Sequence, residues 1–166
     1  MHQRDLLLIY DYNYWATRRI LQTAEKLRQE ELTQDLPMSW HSILETLGHI
    51  LGAEWVWRMR CQEGVSPAAL LDPGQFSTLD VLRARWDEEE AAMRGYLESL
   101  ADADLEQVIH YKNTKGTPFD RVLWQVLLHV VNHGTQHRAE VALYLTTLGH
   151  SPGDIDLSVY LAERAA

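Results

Sequence analysis

Residues 117–149 read TPFDRVLWQVLLHVVNHGTQHRAEVALYLTTLG, and this run sets the architecture. Apolar residues return through it at steps of three and four, the period of an α-helix with one buried side. Thr117 stands in the cap position, Pro118 at the first helical position and Asp120 at the third, while Gly149 with Pro152 beyond it marks the stop. The pattern predicts a single helix of about 31 residues, roughly 46 Å long. Gly134 in its middle is a place for a bend or for the close approach of a neighbour.

Three further amphipathic runs lie upstream. The first, from Arg4 to Leu27, carries Leu6, Tyr10, Ile20, Ala24 and Leu27 on one stripe that Asn13 and Thr17 interrupt with polar groups. The second runs from Trp40 to Arg60 along Leu44, Leu47, Leu51 and Trp55, with Ser42 and Glu45 at capping-box spacing and Ser39 as an equal alternative. The third starts after Ser77, with Asp80 as a cap partner, and carries Leu79, Leu82, Trp86, Met93, Leu97 and Leu100 to an end near Asp102. A connection from Cys61 to Phe76, holding Gly64, Pro67, Pro73 and Gly74, is long for two antiparallel helices. Val108 to Tyr111 followed by Asn113-Thr-Lys-Gly116 predicts a small hairpin before the last helix. The tail from Ser151 to Ala166 offers a last helical turn and is otherwise uninformative. The expected fold is all-α, a four-helix bundle forming one domain over residues 1–166.

With 15 Lys and Arg against 24 Asp and Glu, the formal charge is −9, and no basic cluster offsets it. Phosphate-backbone contact, and with it nucleic-acid binding, is excluded as an expectation. The single cysteine, Cys61, rules out an internal disulfide and any multi-cysteine metal site. No run approaches the roughly 18 apolar residues of a membrane span, and no signal-peptide core is present, so a cytoplasmic protein is expected. Eight histidines stand out against that background.

His129, His133 and His137 are spaced by four in the last helix and line one side of it. His133 and His137 share their side with Val126, Val130, Val141 and Tyr144, so they belong to the apolar stripe. Buried imidazoles need partners, and two facing one interior point invite a shared ion. A third ligand must come from another helix. His49 is the best placed, since His41 and Glu45 lie nearer the start of the second helix and His110 lies in the hairpin. Gly134 follows His133 where the zinc-protease helix motif needs Glu, so that motif is absent. A base or proton relay would come from Glu45, Glu54, Glu140 or Tyr144, each also readable as an ordinary surface or packing residue. Trp86 reads as core, whereas Trp15 and Trp57 are candidates for a pocket wall. Arg138 is either an anchor for an anionic substrate group or a surface ion-pair partner.

Tyr10-Asp-Tyr-Asn13-Tyr-Trp15-Ala, Leu47-Gly-His49-Ile50 with Glu54 and Trp57, Tyr111-Lys-Asn113 with Gly116, and Val131-Asn-His133-Gly-Thr-Gln-His137-Arg138 together resemble the DinB/YfiT-like family of metalloenzymes. The resemblance extends to the related bacillithiol and mycothiol S-transferases, a group of the same fold. The resemblance implies a homodimeric four-helix bundle in which His49, His133 and His137 hold a divalent metal ion, zinc or nickel. It implies no ligand role for His129, and it links the family to DNA damage by induction only. The implied activity is metal-dependent chemistry on a small molecule, either transfer of a low-molecular-weight thiol or hydrolysis. The alternative is a non-catalytic metal-binding protein of the stress response.

Overall fold

The computed structural model describes residues 1–165 and is mostly helical, with six helices and one two-stranded sheet among the described residues. The helices are α1 (Gln3–Ala24), α2 (Gln29–Leu32), α3 (Ile43–Gln62), α4 (Leu79–Ser99), α5 (Leu123–Thr147) and α6 (Leu157–Ala165). Ser42 opens α3 by accepting a hydrogen bond from the Glu45 N–H at 3.1 Å, which decides between the two candidate caps. Thr78, not Ser77, opens α4, its hydroxyl accepting from the Val81 N–H at 3.3 Å. Cys61 belongs to the last turn of α3 and not to the following loop.

The expected helix from Thr117 is divided. Pro118–Val122 forms a strand, β2, antiparallel to β1 (Val108–Lys112), with Tyr111 opposite Phe119 and Lys112 opposite Pro118. Two effects outweigh the helix-start signals. Pro118 sits at the first position of its strand, where it is tolerated, and the Tyr111 and Phe119 rings stack across the pair at 5.6 Å. The Asn113 side chain closes the turn, accepting from the N–H groups of Lys115 and Thr117 at 2.9 Å each. Helix α5 therefore spans 25 residues, about 37 Å.

Helices α1 and α3 each pack against both α4 and α5. The buried apolar side chains form two clusters. One gathers Ile20, Leu47, Leu51, Leu82, Trp86, Val141 and Leu145; the other gathers Leu6, Tyr10, Tyr14, Met93, Leu97, Leu127 and Val130. On α1 they flank Thr17, and Asn13 and Thr17 are buried with them. The long connection lies along α3, against Gly48 and Gly52. A Cβ on Gly52 would stand 3.3 Å from the Leu71 carbonyl oxygen, so a side chain there would lift the loop. The tail contributes more than a turn, because α6 sets Tyr160 against Tyr12 and Trp15 on α1, at 6.0 and 5.5 Å between ring centres. No helix of the described residues is long and apolar enough to cross a membrane.

Candidate metal centre

Helix α5 carries His133 and His137 one turn apart, and α3, packed against it, carries His49 opposite them. One ring nitrogen from each of the three lies within 4.8 Å of the others. The Nε2 atoms of His49 and His133 stand 3.1 Å apart. Two nitrogens bound to one tetrahedral zinc ion at 2.0–2.1 Å are separated by about 3.3 Å, so this spacing suits a shared ion. Among the described residues no fourth histidine, cysteine or carboxylate joins the group.

The electrostatics favour neutral rings at His49 and His133. Burial, reinforced by His137 and opposed by Glu140, lowers the pKa of His49 to about 4. Burial also lowers that of His133 to about 3, with His137, His49 and His129 adding to the shift. A neutral imidazole offers the lone pair that coordination requires. His137 is oriented from outside the cluster, its Nδ1 lying 2.9 Å from a Glu140 carboxylate oxygen. That carboxylate also accepts from the Ser39 hydroxyl at 2.6 Å. Partial burial would raise the Glu140 pKa, but the hydrogen bonds from Ser39 and His137 win and hold it below the usual carboxylate value. An ionised Glu140 keeps the proton of His137 on Nδ1 and leaves Nε2 for an ion, as second partners of ligating histidines commonly do. Trp40 stacks on His49 at 4.2 Å and covers that side of the site.

The cluster opens into a cavity of about 480 Å³ bounded by α3, α5, the Ala68–Leu70 stretch and the turn at Asn113 and Thr114. His129 lines it without joining the three, its ring 5.9 Å from that of His133 and 5.5 Å from Trp57. Burial lowers its pKa as well.

A sequence comparison speaks to the whole chain. The sequence model for the DinB family matches residues 1–165. The chain belongs to the DinB family. "Protein DinB" of Bacillus subtilis (strain 168) is 24% identical to it over 157 residues, which cover 92% of this chain and 91% of the relative.

Against the sequence expectations for this DinB-family chain, several side chains move. Arg138 is neither a substrate anchor nor a surface residue: it is fully buried and donates to Asn13 Oδ1 at 2.6 Å, Thr17 at 3.3 Å and Thr135 at 3.1 Å. Glu54 belongs to the same network, accepting from Asn13 at 2.9 Å and from the Trp86 indole at 3.3 Å. Of the other candidate bases, Glu45 follows the α3 cap, and Tyr144 donates to the Pro37 carbonyl at 2.9 Å. Only Glu140 touches a member of the histidine cluster. Trp57 lines the cavity, while Trp15 lies on the far side of α1 against α6, its indole donating to Glu163 at 3.0 Å. His2 and His110 pair with Asp102 and Asp120, at 2.6 and 2.7 Å. The sequence reading missed Trp40, which belongs to the irregular segment before α3, and Arg60, placed by the last turn of α3 in the cavity wall.

Proposed function

We propose that this DinB-family protein is a metal-dependent enzyme in which His49, His133 and His137 hold a divalent ion, zinc or nickel, and a small molecule binds in the adjoining cavity. The carrying observation is the convergence of three imidazoles from two facing helices, with His49 and His133 lining the adjoining cavity and, among the described residues, no fourth histidine, cysteine or carboxylate closing the group. A non-catalytic structural site would be expected to close with four protein ligands. The proposal extends to a four-helix bundle formed by α1, α3, α4 and α5, to a homodimer, and to a cytoplasmic location.

A bound divalent ion supplies Lewis acidity, which favours the ionised form of a thiol or a water molecule at neutral pH. The chain's own residues do the rest. Glu140 fixes the ring of His137, Trp40 shields His49 from solvent, and Trp57 with Leu70 gives the substrate an apolar wall. Both thiol transfer and hydrolysis fit that arrangement. Metal analysis of protein purified without chelators tests the proposal. Wild type should carry about one equivalent of ion and His133→Ala less than about a tenth of that; equal content in the two would overturn the site. Thiol consumption with electrophilic acceptors, measured beside hydrolysis of ester and amide panels, then selects the reaction.

A further inference from the structure

Arg60 reaches the wall of the same cavity and has an unusual environment for a guanidinium. The residue is 6% exposed, and its Nε atom is buried with no hydrogen-bond partner. Among the described residues no carboxylate pairs with it. Its neighbours are the faces of Trp57 and Tyr111, with ring centres 4.5 and 5.1 Å from the guanidinium carbon. Aromatic faces attract a cation but accept none of its N–H hydrogen bonds in the plane of the fork. The C-terminal turn of α3, where Arg60 sits, adds a weak favourable dipole. Neither supplies the acceptors that a buried charge needs. The cavity lining holds no Asp or Glu, and Arg60 is its one Arg or Lys, in a chain of formal charge −9.

We infer that Arg60 is the anchor for a carboxylate on the substrate, so that the cavity takes an elongated small molecule bearing a carboxylate at the end away from the histidines. One guanidinium matches one carboxylate in charge and in its two parallel N–H bonds, whereas a phosphate dianion would bring a second charge with nothing to meet it. Elongation follows from the helix. His49 and Arg60 are eleven residues apart on α3, about 16 Å along its axis, so no acid of two or three carbons spans both. Trp57 and His129 bridge the interval with contiguous ring surface. Arg60 thus selects the substrate and holds it, and the inference rests on the proposed histidine site only for which end of the molecule reacts.

Calorimetry on the metal-loaded protein, with 8-mercaptooctanoate, its primary amide and octanoate as probes, tests this. The carboxylate should bind about tenfold more tightly than the amide to wild type, with no preference in Arg60→Gln and a partial one in Arg60→Lys. Octanoate, which lacks the thiol, should also lose affinity in Arg60→Gln. Metal content should be the same in all three proteins. Arg60→Met should unfold at the same temperature as wild type or higher, because a cation with unsatisfied donors has been removed; a purely structural arginine would lower it. Equal binding of carboxylate and amide to wild type, or a preference that survives in Arg60→Gln, overturns the inference. Should the protein carry no metal, the histidine proposal fails by itself, and the octanoate comparison still decides the role of Arg60.

Discussion

Two polar clusters share α3 and α5, one of them reaching α1 and α4 as well, and they are built on opposite principles. Around Asn13, Glu54, Trp86 and Arg138 the hydrogen bonds run between side chains, all of them buried except Thr135, and Glu54 and Arg138 are almost fully removed from solvent. Around His49, His133 and His137 the ring nitrogens face each other, His49 Nδ1 has no partner, and a cavity adjoins. Donors and acceptors that pair mainly with one another, with Arg138 Nε alone left over, fix how helices meet. Lone pairs converging beside a cavity leave coordination capacity for something from outside. His137 and Arg138 are consecutive, yet one turns to each cluster, because successive helical residues point about 100° apart. Adjacency in sequence therefore says little about which cluster a residue serves.

The sharpest way to break that contrast is to remove one member from each. Arg138→Leu strips hydrogen bonds from Asn13, Thr17 and Thr135 and takes the nearby positive charge from Glu54, and the network has no solvent to compensate. A loss of about 3–5 kcal/mol in urea unfolding is expected, a large share of a typical domain's stability. His133→Ala should change the stability of the metal-free protein by less than about 1 kcal/mol, since the ring is only half-buried and its one polar contact is another ligand candidate. Similar losses in the two variants would mean that both clusters are structural.

The next effect is in pH. Burial, countered by Asn13, Arg138 and Trp86, raises the Glu54 pKa from 4.5 to about 7. The folded state thus holds a proton that the unfolded chain releases. The stabilisation is complete below pH 4.5 and is lost as pH rises towards about 7, an effect on the order of 3 kcal/mol. His49 and His133 act in the opposite sense in the metal-free protein. Their values fall from 6.5 to about 4 and about 3, so their contribution is present above pH 6.5 and lost as pH falls through those values. Glu54→Gln should remove the first slope and leave the second, so that metal-free stability climbs from pH 5 to pH 7 more steeply than in wild type. Parallel profiles for the two proteins would contradict a buried, shifted Glu54.

How much of this was legible beforehand follows the same division. The phase of α5, with His133 and His137 on the stripe of Val130 and Val141, pointed at an interior pair, and the structure brings His49 to it. Helical period is a local property, so α1, α3 and α4 could be read to within a few residues, as could the end of α5. β2 could not: Thr117, Pro118 and Asp120 satisfy the start of a helix as well as a strand, and only pairing with Val108–Lys112 decides. Trp40 stacks on His49 from an irregular segment whose path no period predicts. Arg138 and Glu54 look like surface charges in sequence because their partners, Asn13 on α1 and Trp86 on α4, are distant along the chain. Gly134 did carry a signal, and its cause is now specific: a Cβ there would lie 2.8 Å from an Arg138 nitrogen and 3.2 Å from Asn13 Oδ1.

The smallest effect separates two glutamates that the sequence could not rank. Glu54 is held partly neutral by burial, whereas Glu140, near the surface, is held ionised by donors. If Glu140 serves the metal through His137, removing its charge should be felt in affinity and hardly at all in folding. Glu140→Gln keeps the size and one acceptor but no longer favours the Nδ1 proton of His137. A fall of about 10–100-fold in zinc affinity, read by competition with a chromophoric chelator, is expected, with unfolding free energy within about 0.5 kcal/mol of wild type. Ser39→Ala, which removes the other donor to that carboxylate, should shift affinity the same way by less. Unchanged affinity in Glu140→Gln would show that the 2.9 Å contact to His137 orients nothing the ion needs, and would leave His49 and His133 as the better-supported part of the site.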